Sequence, residues 1–338
     1  MDNGDRGPRL SRRRLLQAVG GVTALGAGVA VDNVLLGYEA LGTNLREQDL
    51  GAEVTETATS GLRRTDWNGI RVLLWDDQLR LLDGPDGDVL AARRYSELPP
   101  AETRQLDDQY GLDGLLTDGL PAVRALRRGD VDYVFSDHEA FFERVRAGTP
   151  VRSAIELLRG FRPADPDAVA TVADAAPTDP AAVAKGLVDG FRAHTHYDIA
   201  RYLAGAVQFN LAFDAVDLRA GFRDDTSFTA MQDGGVGMFC NEFASRAAQA
   251  FHAVPARKQA PPVLAGIVID ERHRHIFTVL ASILRDDEGL VMPATFLDYT
   301  HSTLYDDLNL TGLLGEGLGA YNRRHRAGTV WWAPIRVR

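Results

Sequence analysis

Three residues far apart in the chain have the side-chain types that acyl transfer uses: Cys240, His275 and Asp298. In that chemistry a thiolate attacks a carbonyl. An imidazole takes the thiol proton and later gives it to the leaving amine. A carboxylate fixes the tautomer and orientation of the imidazole. Cys240 is the only cysteine in 338 residues. Gly234, Gly235 and Gly237 precede it, so the chain turns sharply just before it. Phe243, Ala244, Ala247, Ala248 and Phe251 then recur at the steps of one helical face, with Asn241, Glu242, Ser245, Arg246 and Gln249 on the other. The spacing predicts a helix with Cys240 in its first turn. Free backbone N–H groups and the positive dipole end favour a thiolate there, and the Cys240 N–H is a natural oxyanion donor. Gln232 is the candidate for a second donor. The competing reading of a lone cysteine is a small residue buried in the core.

The histidine and the aspartate need strands to bring them to that helix. Val263 to Ile269 is a continuous apolar run rich in β-branched residues, which reads as a buried strand. His275 to Leu284 reads as a second strand and Leu290 to Tyr299 as a third, with Pro293 marking the third as irregular or at an edge. Asp286-Asp287-Glu288-Gly289 is a tight loop between them. That loop pairs Arg285 with Leu290, and carrying the register back pairs His275 with Thr300. Asp298 is then the diagonal neighbour of His275 on one sheet face, about 7–8 Å away at the backbone. His273 falls four residues out of step with Asp298, so the register prefers His275.

These segments resemble the transglutaminase-like core. Gly-x-x-Cys opening a helix that leads to Ala253-Val254-Pro255-Ala256-Arg257 is similar to that family's Cys helix and its Gly-Ile-Pro-Ala-Arg-like continuation. His275-Ile276-Phe277-Thr278-Val279 is similar to its His-Ala-Trp-x-Glu/Val strand, and Leu297-Asp298-Tyr299-Thr300 to its Val-Asp-Pro-Thr segment. Phe277 stands where the family has Trp, and Tyr299 where it has Pro. The resemblance covers residues 180–310. It implies a papain-like triad of Cys240, His275 and Asp298, and acyl transfer from a peptide or protein amide to water or an amine. It also implies an α+β fold, in which a Cys-bearing helix packs on an antiparallel sheet, preceded by a mainly helical N-terminal region. Some members of that family are inactive binding modules, so a non-catalytic binding protein on the same fold is the alternative.

Composition narrows the partners. The net charge of −10 argues against nucleic acid and anionic lipid as main partners. Lys185 and Lys258 are the only lysines, and an acidic, Lys-poor surface suits a halophilic setting. Ser11-Arg12-Arg13-Arg14-Leu15-Leu16 resembles the twin-arginine export motif, followed by a weakly apolar Gly/Ala-rich stretch to Val31. This implies export as a folded protein by the twin-arginine translocation machinery, with residues 1–31 a signal or an uncleaved membrane anchor. Residues 32–178 read as mainly helical, with a hairpin over 70–93 and a linker over 162–178; residues 179–338 read as the catalytic core. Asp137 is a helix N-cap with Gly148 as the stop, and Asp179-Pro180 starts another helix. No cofactor and no metal are expected. The competing metal reading uses His273, His275, His301 and Asp298, since His-x-His on a strand shares a face. His194 and His196 read as surface or capping residues, and the structural alternative for Asp298 is to cap the turn into His301-Ser302-Thr303.

Overall fold

The computed structural model describes residues 61–198, 201, 225–270, 275–300, 303 and 329–331. An antiparallel meander comes first: β1 (Arg63–Trp67), β2 (Ile70–Trp75), β3 (Gln78–Asp83) and β4 (Val89–Arg94), in that spatial order. Asn68 and Gly69, both at positive φ, form the two-residue turn that pairs Trp67 with Ile70. Thr65, Trp67, Val72, Leu74, Leu79 and Leu81 turn inward and are buried. The expected hairpin over 70–93 is therefore part of a four-stranded sheet. Its first strand shows no apolar alternation, because Arg63 and Thr65 fill two of the three inward positions.

Eight helices follow among the described residues. The first two are α1 (Pro100–Tyr110) and α2 (Leu115–Arg128). The Asp107 carboxylate in α1 accepts the N–H groups of Leu116 (3.0 Å) and Thr117 (2.8 Å) and so caps the start of α2. Next come β5 (Asp132–Phe135), α3 (His138–Ala147), β6 (Thr149–Pro150) and α4 (Arg152–Leu158). Asp137 caps α3 through Ala140 N–H at 2.9 Å and Gly148 ends it, as the sequence predicts.

The stretch expected to be a linker, 162–178, instead holds α5 (Pro166–Ala173). Asp165 caps it, and Ala168, Val169, Val172 and Ala173 are buried. It packs on α6 (Pro180–His194), whose N-cap is Asp179 as expected. The contact runs through two glycines of α6. A Cβ on Gly186 would lie 1.8 Å from the Ala173 carbonyl oxygen, and one on Gly190 would lie 2.1 Å from that of Val172.

The remaining elements are β7 (Thr195–Tyr197), α7 (Phe228–Gln232), β8 (Val236–Met238), α8 (Cys240–Phe251), β9 (Leu264–Asp270), β10 (His275–Ala281), β11 (Leu284–Arg285), β12 (Leu290–Leu297) and β13 (Thr329–Trp331). A seven-stranded sheet runs β13-β9-β10-β12-β11-β6, with β5 parallel to β12 and the other pairs antiparallel. Strands on both sides of residue 178 thus build one sheet. One of its faces carries Val268, Phe277, Val279, Met292 and Phe296 into a core shared with the meander, α2 and α4. The other carries Ala265, Ile267, Leu280, Leu297 and Tyr299 into a core shared with α3, α5, α6 and α8. The architecture is mixed α+β.

Pro293 is not at an edge, because β12 has partners on both sides. Its carbonyl accepts Ser282 N–H at 3.1 Å. Its nitrogen faces that same side, just past the end of β10, where the ladder needs no donor. Among the described residues no helix is long and apolar enough to cross a membrane. The twin-arginine-like segment lies outside the described residues.

Candidate active site

Helix α8 begins at Cys240 and buries Phe243, Ala244, Ala247, Ala248 and Phe251, the face read from the sequence. Two short strands lead into it. β7 runs parallel to β8, pairing Thr195 with Val236 and Tyr197 with Met238, and Asp198 N–H then donates to the Met238 carbonyl at 3.1 Å. The approach is close at Gly237, where a Cβ would press on the Asp198 side chain, 3.1 Å from a carboxylate oxygen.

The N-cap of α8 is Phe239, which has no side-chain acceptor for the N–H groups of the first turn. Glu242 in that turn reaches back instead, accepting Phe239 N–H at 2.8 Å. The same carboxylate pairs with Arg201, which is only 3% exposed. The Arg201 guanidinium also lies over the Phe239 ring, 4.1 Å from its centre, and Arg201 N–H donates to Asp198 at 2.8 Å. Asp198, Arg201, Phe239 and Glu242 thus lock the backbone on either side of Cys240, which remains partly exposed.

Helix and sheet share an end. His252, just past α8, accepts Ala265 N–H on Nε2 at 3.0 Å, which fixes the C-terminus of the helix beside the start of β9. The 12 residues of α8 span about 18 Å, and the five steps from Ala265 to Asp270 span about 17 Å. Cys240 therefore comes level with the far end of β9, where Asp270 pairs with His275. Ring contacts give the same answer: Phe191 meets Phe243 at 5.3 Å and Tyr299 at 5.4 Å, and Tyr299 is the neighbour of Asp298.

The expected register holds. Arg285 pairs with Leu290 and Thr278 with Leu297. One step further, Asp298 falls opposite Phe277 and diagonal to position 275. Asp298 is fully buried, just past β12, and the chain turns helical at Tyr299, where Thr303 Oγ1 donates to the Tyr299 carbonyl at 2.9 Å. Burial pushes the Tyr299 phenol well above its ordinary range, and its hydroxyl donates to the Ala184 carbonyl at 3.1 Å.

The phase of these positions is a finding that sequence reasoning missed. Ile276 and Leu280 belong to the core that α8 shares, whereas Phe277 and Val279 belong to the core on the other face. Position 275 opens β10 in phase with Phe277, and position 298 follows β12 in phase with Phe296. The two positions share a phase, as expected, but α8 packs against the opposite face. Position 275 opens its strand and position 298 follows its own.

His273 and His301 lie outside the described residues. Among the described residues no group of three or more His, Cys, Asp or Glu could hold a metal ion. His194 ends α6 and His196 is exposed on β7. Gln232 ends α7 and is exposed. Arg201 and Asp198 were not legible as site residues, because only the fold brings them to Glu242. No family model matches this chain, and no curated protein or solved structure does either.

Proposed function

We propose that the protein is a cysteine-dependent hydrolase or acyltransferase acting on peptide amides through Cys240, His275 and Asp298, built on a transglutaminase-like core. One observation carries the reading. The only thiol of the chain is partly exposed and opens a helix at the sheet end where β10 starts and β12 stops. The Cys240 sulfur bonds to the substrate carbonyl carbon while the imidazole takes its proton. The C–N bond breaks and that proton leaves on the amine. Water or a second amine then attacks the thioester and frees the thiol. Asp298 orients the imidazole. Residues 1–31 direct export through the twin-arginine machinery, and no cofactor takes part.

The test is hydrolysis of a panel of peptidyl anilides by the full chain. Cys240→Ala abolishes release of the anilide, with the far-UV spectrum unchanged. Equal turnover by Cys240→Ala and the parent chain would end the reading.

A second reading is favoured by the strand phase. With positions 275 and 298 in phase with Phe277 and Phe296, away from α8, the same fold serves as a non-catalytic extracytoplasmic binding protein. It gives no acyl-enzyme with any activated ester or amide.

A further inference from the structure

The outer face of the meander is unlike the rest of the molecule. The exposed large hydrophobic residues among those described are Leu62, Trp75 and Val89. All three project from this one face. Trp75 pairs with Gln78, Leu62 stands one residue before β1 and level with Trp75, and Val89 pairs with Leu82. Arg64, Arg71 and Arg80 share the face with them, alongside Asp66, Leu73, Gln78 and Leu82. Arg64 pairs with Leu73, and Leu73 with Arg80, so the two guanidinium stems flank one leucine across three strands. Arg71 is held by Asp66 through two bonds of 2.7 and 3.0 Å. Arg64 and Arg80 are exposed, and neither side chain has an acceptor among the described residues. The outward strand positions hold Arg64, Arg71 and Arg80 against the one carboxylate of Asp66, with further aspartates only in the turns and at the strand end Asp83, on a chain of net charge −10. Trp and Arg are also the residues that most often anchor interfaces.

We propose that this face docks a short acidic segment of a partner protein, one that interleaves carboxylates with Leu- or Val-type side chains. Size and charge select that occupant. Four strands at about 4.8 Å and five to six residues at about 3.3 Å give a face of about 350 Å². A stable complex between folded proteins needs about 800 Å² on each side. A second copy related by a twofold axis would set arginine against arginine. An anionic bilayer would meet the repulsion of the whole chain's charge. An extended acidic segment matches both the spacing and the sign.

The probe is a fluorescein-labelled peptide of about ten residues alternating Glu and Leu, titrated by anisotropy against the full chain at low salt. Saturable binding is expected, weakened at least tenfold by R64E/R80E and by Trp75→Ala, and absent for a Lys/Leu peptide. These surface variants are checked for an unchanged thermal midpoint. No binding, equal binding of the Lys/Leu peptide, or variants that bind like the parent would overturn the proposal. So would Arg64- and Arg80-dependent sedimentation with phosphatidylglycerol vesicles in place of peptide binding. Residues 43–60 carry Glu47, Asp49, Glu53 and Glu56 among Leu and Val, and peptide binding only after their deletion would assign the face to that stretch of the chain and overturn the proposal too.

Discussion

Replacing Gly186 by Ala tests whether α5 is a packed helix or a tether. In an isolated or solvent-facing helix the change is favourable by about 1 kcal/mol, because Ala is the better helix former. Here the new methyl carbon would sit 1.8 Å from the Ala173 carbonyl oxygen and 2.9 Å from its carbon. Those are backbone atoms, so no side-chain rotation relieves the clash. α5 and α6 must move apart, loosening Val169 and Val172 from the second core. Overpacking of this kind costs about 1–3 kcal/mol, and the backbone contact places this case at the upper end. Gly190→Ala behaves alike, at 2.1 Å from the Val172 oxygen. Urea unfolding followed by far-UV circular dichroism reads the change as a lower midpoint at constant slope. A midpoint that stays put or rises for both variants refutes the packing and restores 162–178 as a linker.

Other substitutions test the buried polar framework of the fold. Glu156 accepts Ala256 N–H at 2.5 Å and lies 4.0 Å from Arg159, which is 5% exposed. Glu156→Ala strands a buried cation and costs about 3–5 kcal/mol in denaturant unfolding. Asp107→Ala removes the cap of α2 and costs about 1–2 kcal/mol by the same measurement. Burial, reinforced by Arg159, holds the His252 imidazole well below its ordinary value of 6.5. The unfolded chain therefore takes up a proton below pH 6.5 that the folded chain refuses. His252's contribution is complete above that pH and is lost as pH falls below it, at up to about 1.4 kcal/mol per pH unit. His252→Gln, which keeps an acceptor for Ala265 N–H, should flatten the stability profile between pH 5 and 7 relative to the parent.

What the sequence revealed followed from local physics. The loop at 286–289 could be read because Asp286 accepts Glu288 and Gly289 N–H at 3.0 and 2.9 Å, a closure encoded within four residues. That loop set the whole β10–β12 register. Helix α8 was legible from its apolar stripe, and α3 and α6 from Asp137 and Asp179. The phase of β10 was not legible, because both of its faces are apolar and alternation cannot say which one a helix covers. Strand β1 hid behind Arg63 and Thr65. Helix α5 hid because its eight residues lie in a Pro-, Ala- and Asp-rich stretch. The Arg201–Glu242 pair spans 41 positions, so nothing local announces it.

The most direct test is intact-mass spectrometry of the full chain exposed to an activated thioester-forming peptide ester. A single thiol makes the readout unambiguous. If imidazole at 275 activates Cys240, the adduct forms at neutral pH and maps to Cys240. His275→Ala then slows its formation at least a hundredfold while leaving the thiol in place. An adduct that forms as fast in His275→Ala as in the parent chain would contradict the nucleophile–base assignment.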